Sequence, residues 1–76
     1  MTNDPLLTIK PLWERILKIE DAPLDKSFVS LGGDSLKAME IAFQIKRSLN
    51  VDVSPISILA DMNLEMMCDV VATAQG

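Results

Sequence analysis

Apolar residues Leu6, Ile9, Trp13, Ile16 and Leu17 recur at steps of three and four, the spacing that lines one side of an α-helix. The pattern predicts a first helix from about residue 4 to 19. Asp4 reads as its N-cap, and Pro5 takes the first helical position, where a missing N–H removes no hydrogen bond. Pro11 leaves two readings open. Either it kinks the helix, or the regular part begins at Thr8 and Pro11 falls within the first turn.

The helical period then stops. Glu20 to Asp34 contains Pro23, Gly32 and Gly33 and reads as a long connecting loop. Loops beyond about 12 residues without structure of their own are usually functional or disordered. Leu24, Phe28, Val29 and Leu31 are spaced to pin this one to a core, which favours order and function. A second helix is expected over Ser35–Leu49, with Asp34 as its N-cap. Asn50 and the Val-Asp-Val after it end that helix. Ser54-Pro55 opens a short helix reaching about Ala60. Asn63 caps a last helix, with Leu64, Met67, Cys68, Val70 and Val71 as its candidate buried stripe. No strand pattern of convincing length, internal repeat or low-complexity segment is present. The fold class predicted is all-α: a small four-helix bundle with a long loop between helices 1 and 2 and a short helix 3.

The second helix carries more apolar surface than a bundle requires. At about 100° per residue, Lys37, Glu40, Gln44, Arg47 and Ser48 share a polar face. Ala38, Ile41, Ala42, Ile45 and Leu49 share the face opposite. Leu36, Met39 and Phe43 extend the apolar arc well past the roughly 100° that burial needs. Two explanations compete: a docking patch for another protein, or a tightly wrapped bundle that buries the whole arc. Docking is favoured for Leu36 and Met39, and the two are balanced for Phe43.

Composition narrows the classes. Seventy-six residues make one domain, 1–76, with one small core. Apolar residues are 49% and charged residues 24%, a globular balance. The only aromatics are Trp13, Phe28 and Phe43, so the core must be aliphatic, with five methionines filling gaps. The formal charge is −4 with no basic block, which argues against nucleic acid. No signal peptide and no apolar run of membrane-spanning length is present. A cytoplasmic monomer is expected. Cys68 is the single cysteine and there is no histidine, so neither an internal disulfide nor a Cys/His zinc set can form.

The stretch LGGDSLKAMEI, residues 31–41, delivers Ser35 to a helix start. As a nucleophile, Ser35 would need a base, usually histidine, and the chain has none. The nucleophile-elbow pattern also wants glycine two residues after the serine, where Lys37 stands. Lysine can act as base, but side chains two apart on a helix do not face each other. A phosphate cradle fares little better, since the P-loop lysine and the leading strand are missing. The glycines can simply turn the chain while Asp34 and Ser35 cap the helix. That reading leaves the long loop and the surplus apolar flank unexplained.

LGGDSLKAMEI resembles the attachment motif of carrier proteins, the thiolation domains of nonribosomal peptide and polyketide synthesis. The likeness spans nearly the whole chain. LWERILKIE is similar to their first helix, DKSFVSLGGDSL to the end of their long loop, and IKRSLNVDVSPISIL to the run into the short third helix. The resemblance implies an acyl-carrier-protein-like fold. It also implies that a phosphopantetheinyl transferase attaches 4'-phosphopantetheine from coenzyme A to Ser35, with Gly33 and Asp34 as part of the motif. The arm would then hold an acyl or aminoacyl group as a thioester. In the family the position before the serine is commonly histidine or aspartate, so Asp34 fits, as a transferase contact, a cap or both. LGG before the serine looks more like peptidyl or aryl carriers than fatty-acid carriers. The second helix, with Lys37, Lys46 and Arg47 against Glu40, lacks the strong acidity of fatty-acid carriers. The partners implied are the transferase, an adenylation or acyltransferase loading enzyme, and condensation, ketosynthase or thioesterase enzymes. Docking is expected through Leu36, Met39, Phe43 and Ile56. A polyketide-type carrier is the runner-up, and an unmodified helical adaptor using the same patch comes third. The initial methionine and short ends fit a free-standing carrier or a trimmed domain of a larger synthase.

Other residues take plainer readings. Trp13 on the apolar stripe is expected in the core, and Cys68 as a small buried hydrophobe. Met62, Met66 and Met67 are expected to pack. Lys10, Arg15 and Lys18 read as a solvated surface.

Overall fold

The computed structural model describes residues 4–75 and forms four helices: α1 (Pro5–Leu17), α2 (Ser35–Leu49), α3 (Pro55–Leu59) and α4 (Leu64–Gln75). Each start is chemically marked. The Asp4 carboxylate accepts the Leu6 N–H at 3.1 Å, Asp34 accepts that of Lys37 at 2.9 Å, and Asn63 accepts that of Met66 at 2.7 Å. These side chains satisfy donors that a helix N-terminus otherwise leaves open. Ser54 differs from expectation, because its side chain makes no cap bond. Its main-chain carbonyl accepts the Ile58 N–H instead, at 3.1 Å.

The helix α1 begins at Pro5 and continues through Pro11, which removes the reading that regular structure starts at Thr8. Pro11 has no N–H for the Leu7 carbonyl. Both residues are exposed, so water can take that carbonyl's partner role. The helix stops at Leu17 rather than 19. Lys18 adopts a left-handed conformation at φ 57°, and the Ile19 N–H turns back to the Glu14 carbonyl at 3.0 Å. Asn50 ends α2 in the same way, also at φ 57°, so α2 has the bounds expected of it.

The core lies between α1 and the other elements. Ile9, Trp13 and Ile16 of α1 meet Ala38, Ile41 and Ile45 of α2, Ile58 of α3, and Leu64, Met67 and Val71 of α4. Full burial of each large aliphatic side chain stabilises by roughly 1.5–3 kcal/mol. The α1 helix packs on α2 and α4, and α3 packs on α2. Trp13 and Phe28 meet edge to face, with centroids 5.2 Å apart at 76°, a favoured aromatic geometry. The Trp13 indole N–H points at the Met67 sulfur, 3.1 Å away. Trp13 is therefore core, as expected. Met62 and Met67 pack inside while Met66 is exposed.

Besides the packing expected of Met66, which is exposed, two further expectations about burial need correction. In the loop, Phe28 is fully buried and Leu31 packs partly against the core, but Leu24 and Val29 are exposed. Ala22 is buried in their place. Backbone bonds do much of the pinning: Phe28 N–H to the Met62 carbonyl at 2.8 Å, and Glu65 N–H to the Leu24 carbonyl at 3.3 Å. On α4, Val70 is exposed and Cys68 half-buried, whereas Leu64, Met67 and Val71 are buried. Six residues after Leu64, Val70 has rotated about 240° around the helix and off that stripe.

The first loop residues are held by charge. The Lys10 ammonium lies 2.8 Å from Asp21 and 3.6 Å from Glu14, and Glu14 also accepts the Ala22 N–H at 3.0 Å. Lys10 is thus an ion-paired tie between α1 and the loop rather than simply a solvated charge.

Candidate functional site

The end of the loop is a compact set of local bonds. The Ser30 N–H donates to Ser27 Oγ at 3.1 Å, and Ser30 Oγ donates to the Ser27 carbonyl at 2.8 Å. Leu31, Gly32 and Gly33 N–H groups then return to the carbonyls of Ser27, Val29 and Phe28, at 3.2, 3.0 and 2.9 Å. The two glycines serve different purposes. Gly32 has φ 98°, a conformation that side chains other than glycine's rarely adopt. Gly33 lies against Phe28: a Cβ there would overlap the ring and come 2.7 Å from the Phe28 carbonyl oxygen. Since Phe28 is buried against Trp13, the core fixes where the loop ends.

The chain leaves this turn extended at Asp34 and enters α2 at Ser35. Ser35 is exposed at the first helical position. Asp34 takes the Lys37 N–H, while the N–H groups of Ser35 and Leu36 have no intrahelical partner by position. The Lys37 ammonium donates to the Gly32 carbonyl at 3.2 Å. No histidine exists to deprotonate the hydroxyl. An exposed hydroxyl beside free N–H donors at the positive end of a helix suits an attached anion better than unaided catalysis.

The flank of α2 is open. Leu36 is 77% exposed, Met39 and Phe43 58% each, and Ile56 at the start of α3 79%. The bundle does not wrap this arc. Arg47, on the polar face of α2 by helical spacing, holds its guanidinium 5.9 Å from the Phe43 ring centroid. The i, i+4 spacing was the available signal for that contact.

Elsewhere the molecule is chemically quiet. Burial, with the charges of Asp4, Asp69 and Glu65, pushes the Cys68 thiol up to about 11. Among the described residues no group of His, Cys, Asp or Glu is placed to hold a metal, and no helix is long and apolar enough to cross a membrane. A cleft of about 360 Å3 between α1 and the loop is lined by Leu6, Lys10, Asp21, Ala22, Pro23 and Leu24, none of them beside Ser35 in the chain.

The small helical bundle thus presents one exposed serine at the end of an ordered loop, at the start of α2. Residues 8–71 match the family model described as the phosphopantetheine attachment site, and the chain belongs to that family of non-catalytic carriers of 4'-phosphopantetheine. It is 30% identical over 73 residues, 96% of its length, to tyrocidine synthase 3 of Brevibacillus parabrevis, of which it spans 1%. It superposes at TM-score 0.85 and 29% identity on a chain in the complex of the phosphopantetheine transferase Sfp with coenzyme A and a peptidyl carrier protein, covering 96% of this chain and 95% of that one. A solution structure described as a prototype for the peptidyl carrier domains of modular peptide synthetases superposes at TM-score 0.78 and 30% identity, covering 93% of each chain. The fold is that of peptidyl carrier proteins, and the function is that of a carrier domain of the nonribosomal peptide type.

Proposed function

We propose that Ser35 Oγ is the attachment atom, that Gly33 and Asp34 shape the site around it, and that Leu36, Met39, Phe43 and Ile56 form the surface on which partner enzymes seat. The observation that carries this reading is the exposed Ser35 hydroxyl at the start of α2, inside the span matched by the attachment-site family. In the transfer, Oγ bonds to the phosphorus that bears pantetheine in coenzyme A. The pyrophosphate P–O bond breaks, the adenosine bisphosphate leaves, and the serine proton passes to a base of the transferase. When bound, the arm supplies a terminal thiol that holds aminoacyl or peptidyl cargo as a thioester.

The chain's own residues do the rest. Gly33 and Phe28 fix the loop end, Asp34 caps α2 through the Lys37 N–H, and the N–H groups of Ser35 and Leu36, without intrahelical partners by position, would be available to the phosphodiester. Partners of the reading are a phosphopantetheinyl transferase, an adenylation enzyme that loads cargo, and condensation or thioesterase enzymes that take it off. Each must release the carrier before the next engages. Docking through a few exposed apolar side chains suits weak, reversible contact. The setting inferred is cytoplasmic, with the chain acting as a monomeric carrier unit.

The test is intact-protein mass spectrometry after incubation with coenzyme A and a broad-specificity phosphopantetheinyl transferase. The wild-type chain is expected to gain one phosphopantetheine, and Ser35→Ala none. A gain in the alanine variant, or none in the wild type with two unrelated transferases, would overturn the assignment.

A further inference from the structure

Attachment at Ser35 creates an electrostatic problem at the helix start. The phosphodiester adds a negative charge beside the Asp34 carboxylate, and Asp34 already uses one first-turn donor, the Lys37 N–H at 2.9 Å. The positive end of the helix dipole amounts to only about half a charge. A full positive charge close by would balance the pair more fully than the dipole alone.

Lys37 is the one cationic residue between Lys26 and Lys46. Three of the other cations have partners of their own. Lys10 and Lys46 sit in ion pairs with carboxylates, and Arg47 lies over Phe43 toward the far end of α2. The Lys37 side chain does not run outward into solvent. It is half-buried, and its ammonium folds back to the Gly32 carbonyl, 3.2 Å away. Side chains two apart do not face each other along a regular helix, but Lys37 folds back toward the chain before the helix, so its ammonium reaches Gly32, three residues ahead of Ser35. That bond uses one of its three N–H donors, and among the described residues no carboxylate lies within ion-pair distance of it.

We propose that Lys37 is the positioning residue for the arm: its ammonium turns from the Gly32 carbonyl to the phosphodiester oxygens when Ser35 is modified. A neutral carbonyl is a weaker partner for the ammonium than an anionic oxygen, since only the anion adds a charge–charge attraction to the hydrogen bond. The side chain that reaches back to Gly32 beside the unmodified serine thus becomes the counter-ion at the root of the modified one. The two forms of the carrier then differ at Gly32, while the bundle below is unchanged. This inference rests on Ser35 being the attachment residue.

The experiment compares unmodified and phosphopantetheinylated forms of wild type, Lys37→Arg and Lys37→Met, each checked by intact mass. Two readouts are used: the 31P resonance of the phosphodiester, and the melting temperature of each form in about 10 mM and about 1 M salt, where screening lengths are ~30 and ~3 Å. In the wild type and Lys37→Arg, modification is expected to leave the melting temperature nearly unchanged, and their 31P shifts are expected to agree. In Lys37→Met the modified form is expected to melt lower than its own unmodified form at low salt, with the gap closing at high salt and the 31P shift displaced. Comparing each variant with itself removes any general cost of the substitution to folding. Identical 31P shifts and identical modification effects in all three proteins would overturn the proposal. Failure of the wild type to gain mass would instead overturn the attachment assignment.

Discussion

At the junction of the loop and α2, Gly32 and Gly33 stand side by side under separate constraints. Gly32 carries φ 98° with open space around it, whereas Gly33 is pressed against the Phe28 ring and carbonyl. Gly33→Ala should therefore act through packing, by driving a methyl group into a buried aromatic. The expected cost is about 1–3 kcal/mol, the usual range for overpacking, read as a lower urea midpoint with an unchanged slope. Phe28→Ala should cost more, about 3–5 kcal/mol, since it also strips Trp13 of its ring partner. The Gly-Gly doublet was legible in the sequence as a turn, and Asp34 as a cap. That the second glycine answers to Phe28, five residues earlier, was not legible, because residue spacing in irregular chain carries no direction.

At the scale of elements, α2 was the most legible part of the chain. Its cap, its end at Asn50 and its buried face of Ala38, Ile41 and Ile45 all follow from a single helical period. Its open face makes a distinct prediction. Met39→Asp should slow a transferase's turnover while leaving helicity by circular dichroism and thermal stability near wild type, because Met39 is 58% exposed. Joint loss of turnover and helicity would place Met39 among the packing residues and remove it from the docking surface. The loop and α4 were only partly legible. Phe28 and Leu31 pack as their spacing suggested, but Leu24 holds the loop by its carbonyl. Val70 belongs to the apolar run of α4 without belonging to its buried stripe. The end of α1 was set by the left-handed Lys18, a backbone choice for which lysine is no signal.

Across the whole molecule, interior and charge are cleanly separated: among the described residues nothing polar or charged is buried. Ionic effects on stability should therefore come from surface ties, chiefly the Lys10–Asp21 pair that closes the loop onto α1. The Lys10 hydrogen bond and charge hold Asp21 below its ordinary 3.8, so this contribution is present above 3.8 and is lost as pH falls through the lowered value. The bond to Asp21 in turn raises Lys10 above 10.5, so its contribution is present below 10.5 and is lost as pH rises through the raised value. Asp21→Asn should lower the urea midpoint slightly at neutral pH. It should have no effect once Asp21 is protonated in acid, and little in high salt, because exposed pairs are weak and screened.

Trp13 is the chain's single tryptophan and tyrosine is absent, so the near-ultraviolet emission of the whole molecule comes from one indole. That indole touches Phe28 of the loop on one side and Met67 of α4 on the other. Lifting the loop from the bundle would expose it to water, and its emission would move to longer wavelength as the sulfur and ring contacts were lost. The carrier thus contains its own optical gauge, with no added dye, for whether an enzyme that grips the serine end also pries the loop away.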